Sequence, residues 1–347
     1  MNPLRFMLCV AVALMVLAVP ASGAPGDAIY THAGKIVDVR GRGIDFHCIG
    51  TGAPVVVFDA GWEDWSPAWA VVQPRIARFT RACSYDRAGS GFSDPGLMPR
   101  TSVRIADELH AALHAAAITG PYVLVGHSFG SYNIRTFADR YMNEVAGMVI
   151  VDGENGDVEP PAQRRLDDEG LAAAVKPLQR CRAAIVAAEP LPYLHGTRGE
   201  KPLRCDRVFF RGLPERNWSP QLNAAILRFV SRTPTLYDAV ISELQGMPAD
   251  EVYLQTHVRS LGARPLRVLT AMQHFGPLSR LTPKQRVEAA AFERINARSQ
   301  AKWLRLSGDA KQIFARRSSH YIQYDQPDIV VNAVRDVVAR IRRRTGQ

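Results

Sequence analysis

Val123-Leu124-Val125-Gly126-His127-Ser128-Phe129-Gly130-Ser131-Tyr132 is the stretch that decides the fold of this chain. Residues 122–125 form a short apolar run typical of a buried strand, and residues 132–141 are compatible with a helix. Between the two runs, glycines stand two positions before and two positions after Ser128, where a Cβ atom would collide in a tight turn. The stretch therefore predicts a strand, a sharp turn and a helix, with the Ser128 hydroxyl clear of the sheet.

This turn gives Ser128 a particular chemical environment. The first N–H groups of a helix lack partners inside it, so the helix after Ser128 directs free donors and the positive end of its dipole at the serine oxygen. A serine hydroxyl becomes a nucleophile when a neighbouring base takes its proton. An ordinary strand-to-helix turn is the competing interpretation, and the presence of a base and an acid elsewhere in the chain decides between the two.

Composition limits the classes of function. The 347-residue chain is 47% hydrophobic and 22% charged, which suits one large α/β domain with an insertion, or two modest domains. Its net charge is +10, but the sequence has no basic stripe interleaved with aromatic residues and no zinc-ligand spacing. We therefore expect no nucleic-acid partner, no metal and no cofactor.

Residues 1–24 have the pattern of a signal peptide. Arg5 forms a short positive region, residues 6–19 form an apolar run, and small residues at positions 20–24 suit cleavage. The apolar run is short for a membrane span, and an uncleaved anchor is the alternative interpretation. We expect an exported protein, periplasmic or secreted, with no stable membrane span after cleavage.

Strands and helices alternate along most of the remaining chain. Short apolar runs predict strands at residues 35–39, 44–49, 55–58, 82–85, 122–125, 147–151, 266–270 and 312–315. Helical patterns lie between or after them, at residues 67–79, 101–118, 132–141, 283–306 and 326–343. This alternation predicts an α/β fold with a mostly parallel central sheet and helices on both faces.

The alternation stops between residues 154 and 263. This segment contains many prolines, several helical patches and two of the cysteines. Such a segment is typical of an inserted, largely helical cap rather than of further sheet. The predicted organisation is therefore a signal peptide at residues 1–24, a core at residues 25–153 and 264–347, and a cap or lid at residues 154–263.

Four motifs resemble those of the α/β-hydrolase family, in the family's order and at the expected strand ends. They are Val55-Val56-Val57-Phe58-Asp59-Ala60-Gly61-Trp62, Tyr85-Asp86-Arg87-Ala88-Gly89-Ser90-Gly91-Phe92-Ser93-Asp94, Gly126-His127-Ser128-Phe129-Gly130 and Ser319-His320-Tyr321-Ile322. The resemblance covers nearly the whole chain after the signal peptide, and it implies the fold of esterases and lipases that carry a cap. Function must still be argued from the site, because one fold serves many activities.

The resemblance implies His320 as the base for Ser128, because the family's base follows the last strand and precedes the last helix. A histidine suits this role since its ordinary pKa of about 6.5 lets it accept and return a proton near neutral pH. His274, just past the strand at residues 266–270, is the strongest rival. The side chain of His127 adjoins Ser128 but points away from it, so we expect it to pack or to make a polar contact.

The acid that orients the base departs from the commonest family pattern. That pattern has an acid shortly after the strand at residues 266–270, whereas residues 271–275 contain no carboxylate. Some α/β-hydrolases carry the acid at the end of the preceding strand, where this chain has Asp152. We therefore expect Asp152 to hold the base in the correct tautomer, with Glu154 as the alternative acid. A turn or helix-capping aspartate is the structural interpretation of Asp152.

An oxyanion hole needs two backbone N–H groups aimed where negative charge develops. The resemblance implies one donor at Phe129, after the serine, and one at Trp62, in a loop where Ala60 replaces the family's histidine. The competing interpretation is that Trp62, Trp65 and Trp69 form a packed aromatic lid. Both can hold, because a backbone donor leaves its side chain free to line a pocket.

Four cysteines remain once Cys9 of the N-terminal segment is set aside, and an even number in an exported chain favours disulfides. Four cysteines allow three connectivities. In the fold that the resemblance implies, the second and fourth strands are neighbours, so Cys48 could pair with Cys83. Cys181 and Cys205 then pair within the predicted cap.

The expected function is hydrolysis of a carboxylic ester or related acyl bond through an acyl-enzyme, with a small-molecule acyl substrate. One alternative keeps the same triad and acts on thioester, lactone, amide or carbon–carbon bonds, and another is a non-catalytic ligand-binding homologue. The halide-displacing branch of the fold is disfavoured, because it has an aspartate where Ser128 stands. The sequence predicts neither the identity of the substrate nor the oligomeric state.

Overall fold

An eight-stranded sheet forms the centre of the computed structural model, which describes residues 26–153, 161–194, 202–257 and 259–346. The strands of this part of the chain are β1 (Lys35–Asp38), β2 (Gly43–Ile49), β3 (Val56–Asp59), β4 (Ala82–Tyr85), β5 (Tyr122–His127), β6 (Val145–Val151), β7 (Tyr193–Leu194), β8 (Leu203–Arg204), β9 (Gly262–Ala271) and β10 (Ser307–Ala315). The two-residue strands β7 and β8 pair only with each other, and the other strands form the main sheet.

The main sheet is mostly parallel, with the order β1-β2-β4-β3-β5-β6-β9-β10. Strand β2 runs antiparallel to both of its neighbours, β1 and β4, and every other pair in the sheet is parallel. The carboxyl ends of the parallel strands therefore meet at one edge, which we call the carboxyl edge. The predicted fold class is confirmed.

Helices cover both faces of the main sheet. The α-helices of the described residues are α1 (Gln73–Ile76), α2 (Ser102–Ala115), α3 (Gly130–Arg140), α4 (Pro161–Val186), α5 (Pro220–Val230), α6 (Pro234–Thr256), α7 (Pro283–Ala301), α8 (Ile322–Asp325) and α9 (Pro327–Thr345). Successive side chains of a strand point to opposite faces, so Val125 of β5 packs in one core with Val334 of α9. Its neighbour Leu124 packs in a second core with Phe137 of α3. A strand enclosed in this way must be apolar throughout, which is why the run at residues 122–125 could be recognised.

The predicted helix at residues 67–79 is wrong in its extent. The chain forms a short 3₁₀ helix at Ser66–Trp69 and then the single turn of α1. Pro74 lies in the first turn of α1. Proline has no N–H to donate to the carbonyl four residues earlier, and its ring clashes with that carbonyl, so this position is disfavoured in the interior of a helix and is accepted in a first turn.

The segment between β6 and β9, which we call the insertion, is largely helical, as predicted. Its described part consists of α4, the hairpin of β7 and β8, α5 and α6. Helix α6 packs against α2 and α3 of the core and against α4 within the insertion. This packing places α6 beside the helix that begins just after Ser128.

The two disulfides have the predicted pairing. Cys48 of β2 and Cys83 of β4 face each other across an antiparallel pair of strands, with their sulfur atoms 2.09 Å apart. Cys181 of α4 and Cys205, which follows β8, are joined at 2.03 Å and close a loop within the insertion.

The predicted signal peptide at residues 1–24 lies outside the described residues. Among the helices that the structure does describe, none combines the length and the apolar character needed to cross a lipid bilayer.

Candidate active site

The carboxyl edge brings together the polar residues that follow its strands. Ser128 comes directly after β5, Asp152 directly after β6, His274 three residues after β9 and His320 five residues after β10. Since β5, β6, β9 and β10 are consecutive neighbours in the sheet, these four side chains leave it in one row. Two of the row, Asp152 and His320, are in direct contact, and His274 also contacts Asp152.

Ser128 occupies a strained turn of the kind that the sequence predicted. Its φ is 49°, in the left-handed region that residues with a side chain rarely adopt, and its N–H donates to the Val151 carbonyl at 3.1 Å. A Cβ atom on Gly126 would lie 2.5 Å from the carbonyl oxygen of Gly130, and one on Gly130 would lie 2.3 Å from that of Asp59. The two glycines are therefore required by close backbone approach.

Asp152 is buried and accepts hydrogen bonds on both carboxylate oxygens. Oδ1 accepts from the main-chain N–H of Ala271 at 2.9 Å and from Nε2 of Gln300 at 2.8 Å. Oδ2 accepts from His320 Nδ1 and from His274 Nε2, each at 2.7 Å. Burial by itself raises the pKa of this carboxyl, but the hydrogen bonds and the charges of the two histidines lower it far below its usual range. The site therefore holds Asp152 as a carboxylate.

His320 lies beside the turn that carries Ser128. Its ring centroid is 4.7 Å from that of His127, the residue before the serine, and His127 Nε2 donates to the main-chain carbonyl of His320 at 3.2 Å. Because Nδ1 donates to Asp152, the tautomer with a free lone pair on Nε2 is favoured when His320 is neutral. The polar contact expected for His127 is thus one with His320, and its ring is buried.

His274 contacts the acid at this edge, a position that sequence reasoning did not foresee when it considered His274 as a rival base. Its two ring nitrogens lie between two carboxylates: Nε2 is 2.7 Å from Asp152 Oδ2, and Nδ1 is 2.9 Å from Glu293 Oε2. The main-chain N–H of His274 also donates to Glu293 Oε1 at 2.8 Å. Despite burial, which lowers it, the two hydrogen bonds raise the pKa of His274 to about 9.

Glu293 and Gln300, both on α7, are members of the site that sequence reasoning missed. Both residues are buried, which is unusual for Glu and Gln on a surface helix. The helical pattern of residues 283–306 does not indicate which polar face turns inward. No motif in the sequence could have linked either residue to Asp152.

Arg87 fixes the loop that carries Trp62, another connection that the sequence did not reveal. Its Nη1 donates to the Ala60 carbonyl at 2.8 Å, and its Nη2 donates to the Gly61 carbonyl at 2.7 Å. Its Nε donates at 2.7 Å to Glu243 of α6, so the buried guanidinium joins this loop to the insertion. The indole Nε1 of Trp62 makes a second link, to the Val240 carbonyl at 2.8 Å.

The other two tryptophans of this region are not part of an exposed lid. Trp69 is fully buried and packs on Phe58 of the main sheet, with ring centroids 4.8 Å apart. Trp65 is also buried, and its ring lies 4.4 Å from that of Phe210 in the insertion. Trp65 and Trp69 are therefore packed, as the competing interpretation expects, whereas Trp62 is partly exposed.

Asp64, two residues after Trp62, is a second buried carboxyl near the site. Its Oδ2 lies 3.8 Å from His127 Nδ1. Burial raises the pKa of Asp64 to about 7, although the charges of Arg87 and His320 act in the opposite direction. Burial likewise lowers the pKa of His127 well below its ordinary value.

Three groups of described residues bring histidine and carboxylate atoms within 4.8 Å of one another. They are His110 with His114 and Glu144, Asp45 with His47 and Asp86, and Asp152 with His274 and His320. Direct contacts between members account for this proximity, as in the 2.9 Å between His110 Nε2 and Glu144 Oε1. At Asp152, four N–H groups already occupy both oxygens, so we assign no metal to the candidate site.

The chain matches the model of the alpha/beta hydrolase family over residues 46–333. It therefore belongs to the α/β-hydrolase family, as its motifs predicted, and it is a hydrolase. This family match covers the strands of the carboxyl edge, the insertion and the start of α9.

Individual relatives are distant. An AB hydrolase superfamily protein of Gibberella zeae is 25% identical over 313 residues, which cover 83% of this chain and 87% of that protein. A thermophilic esterase from Thermogutta terrifontis has a TM-score of 0.58 at 19% identity, with 88% of this chain and 98% of that chain covered. A putative epoxide hydrolase from Pseudomonas aeruginosa has a TM-score of 0.62 at 16% identity, with coverages of 89% and 96%. At such identities these structures show the shared fold alone.

Proposed function

We propose that this protein is a serine hydrolase that cleaves a carboxylic ester through an acyl-enzyme, with Ser128, His320 and Asp152 as its triad. The observation that carries the proposal is the 2.7 Å contact between His320 Nδ1 and Asp152 Oδ2, beside the strained turn that exposes Ser128. A nucleophile, a base and an orienting acid in this order are the parts that acyl transfer requires.

The chemistry follows from the hydrogen bonds of His320. Its Nε2 takes the Ser128 proton as the serine Oγ attacks the ester carbonyl carbon, and Asp152 stabilises the resulting imidazolium. When the tetrahedral intermediate collapses, the bond from carbon to the alcohol oxygen breaks, and His320 gives its proton to the leaving alcohol. Water, activated by the same histidine, then attacks the acyl group on Ser128 and releases the carboxylic acid.

The N–H groups of Phe129 and Trp62 are the proposed oxyanion hole. Phe129 stands at the start of α3, where helix N–H groups lack intrahelical acceptors. The loop of Trp62 is held by Arg87 through two carbonyls, and a donor on a fixed loop stabilises charge without reorganising.

We further propose that the predicted cap at residues 154–263 encloses a small-molecule acyl substrate. The supporting observation is that α6 of this segment accepts from the Trp62 indole at the Val240 carbonyl and binds Arg87, which holds the loop of Trp62, through Glu243. Export is proposed on the pattern of residues 1–24 and on the two disulfides, which persist in an oxidising compartment.

A fluorophosphonate probe tests the nucleophile on the purified protein. Wild type and Ser231→Ala, a control just after α5, should be labelled at Ser128, and Ser128→Ala should not be labelled. A wild-type protein that resists the probe would instead be a binding homologue without a live nucleophile. A series of p-nitrophenyl esters of increasing acyl length then tests turnover and the size of the acyl site.

A further inference from the structure

We propose that His274 is a positioning residue that holds Asp152 as a carboxylate through its own fixed positive charge, and that it thereby sets the pH range of hydrolysis. The inference rests on the proposed function, because it assigns Asp152 and His320 to the triad. The positive charge on His274 follows from the contacts of its ring and does not depend on the proposed catalysis.

The charge follows from the partners of the His274 ring. A carboxylate can only accept a hydrogen bond, and each ring nitrogen faces one, Asp152 Oδ2 at 2.7 Å and Glu293 Oε2 at 2.9 Å. Both nitrogens must therefore carry a proton, which makes the ring an imidazolium. The ring is 15% exposed and the Glu293 side chain 9% exposed, so water competes little for these bonds.

Glu293 is the residue that makes this charge permanent near neutral pH. It accepts from the ring and from the main-chain N–H of His274, which anchors the turn after β9 to α7. Phe292, its neighbour on α7, covers the His274 ring edge with centroids 5.0 Å apart. In agreement with this arrangement, the pKa of His274 is raised to about 9.

The charged groups that face His274 come from three further elements. Asp152 follows β6 and Glu293 belongs to α7, while His320 follows β10 with its ring centroid 6.0 Å from that of His274. His127 contacts the His320 ring and lies 3.8 Å from Asp64; burial lowers the pKa of His127 and raises that of Asp64. His274 is thus the permanent cation that shares an oxygen of Asp152 with His320.

This sharing has a consequence for proton transfer. Asp152 must keep its negative charge to accept from His320 Nδ1 and to stabilise the imidazolium that forms during attack. His274 supports that charge only while its own ring is protonated, which ends as pH rises through about 9. Turnover should therefore fall at alkaline pH as His274 loses its proton.

The first experiment measures the charge directly. Nitrogen-15 spectra of histidine-labelled full-length protein carrying Ser128→Ala should show both His274 ring nitrogens protonated at about pH 7.5. Adding the isosteric change Glu293→Gln should lower the pH at which this signal titrates. A neutral His274 ring in the Ser128→Ala protein would overturn the inference, while leaving the fluorophosphonate test of Ser128 untouched.

The second experiment compares pH–rate profiles for ester hydrolysis. In wild type, kcat/KM should decline as pH rises through about 9, where His274 loses its proton, and in His274→Gln this decline should be absent. The plateau of the variant should fall on the order of tenfold, because Asp152 loses a charged hydrogen bond. The exposed control His32→Gln should match wild type. A lowered plateau with the same alkaline decline as wild type would mean a purely structural role and would refute the inference.

Discussion

The carboxyl edge and the contact between the core and the insertion both bury charge, but they organise it differently. At the edge, the charged and polar groups follow the ends of adjacent strands, so their positions are set by the sheet. At the insertion, Glu243 in the middle of α6 reaches the guanidinium of Arg87, which lies on the loop after β4. The order of the strands therefore determines the arrangement at the carboxyl edge, whereas the reach of long side chains determines the contact with the insertion.

The difference determines how each region tolerates change. Asp152 keeps two partners, Ala271 N–H and Gln300, even when its histidines are replaced. Arg87 and Glu243 are both about 2% exposed or less, and the Arg87 guanidinium compensates the buried charges of Glu243 and Asp59. We therefore expect substitutions at the edge to affect mainly turnover and substitutions at the insertion contact to affect mainly stability.

The largest effect is expected for Asp152→Asn at the carboxyl edge. The amide preserves shape, but an amide nitrogen in place of one oxygen favours the wrong tautomer of His320, so kcat should fall by about 10⁴. Steady-state kinetics with the best ester of the series gives the measurement. Glu154→Gln, at a position outside the described residues, is the comparison: if it abolishes turnover while Asp152→Asn retains it, the acid is Glu154.

The next effect is on stability, at the contact with the insertion. Arg87→Met leaves Asp59 and Glu243 buried without their cation, so the free energy of unfolding should fall by about 3–5 kcal/mol. Urea denaturation at neutral pH measures this loss. The matched control is Arg182→Met, which breaks the exposed pair with Asp238 between α4 and α6 and should cost less than about 1 kcal/mol. If both variants lost the same free energy of unfolding, the buried ion pair would contribute no more to stability than the pair with Asp238.

A smaller effect with a distinct pH dependence is expected at His274. Its pKa is raised on folding from 6.5 to about 9, so its contribution to stability is complete below about pH 6.5 and is lost as pH rises through about 9. A pKa difference of one between the folded and unfolded states corresponds to about 1.4 kcal/mol, which sets an upper limit on the order of 3 kcal/mol. The unfolding free energies of wild type and His274→Gln should therefore differ more at about pH 6 than at about pH 10. A difference that does not change with pH would contradict the charge assigned to His274.

The smallest effect is expected for Trp62→Phe, which tests the link between the two regions. The substitution keeps the backbone N–H proposed for the oxyanion hole and removes the indole bond to the Val240 carbonyl. Loss of one such hydrogen bond costs about 1 kcal/mol, so KM should rise several-fold while kcat changes little. A fall in kcat of about 10² or more at constant KM would instead indicate a damaged oxyanion hole.

The same comparison explains what could be predicted from the sequence. Ser128, Asp152 and His320 each follow a strand, and buried parallel strands leave apolar runs that are visible without a structure. The order of those strands in a known fold then indicated which strand ends meet. His274 was noticed for the same reason, because it follows β9.

The partners on helices could not be found in this way. Glu293 and Gln300 reach Asp152 and His274 from α7, and the spacing of polar residues along a helix does not specify which strand end they meet. The sequence gives only a weak indication that Glu243 is buried: it is a charged residue on a helix face that also contains the buried residues Val240 and Leu244. The partner of Glu243, Arg87, is identified only by their contact in the folded structure.

The buried ion pair between Arg87 and Glu243 also bears on whether related hydrolases can exchange their insertions. A chain from which the insertion was excised would keep every strand of the main sheet, yet its Arg87 would lose the carboxylate of Glu243 while still surrounded by protein. Arg87 would then keep Asp59 as its buried counter-ion but lose the ion pair that joins it to α6. A foreign insertion with an acidic residue at the position of Glu243 should restore that link. Changes in α4, α5 and the hairpin should leave it intact.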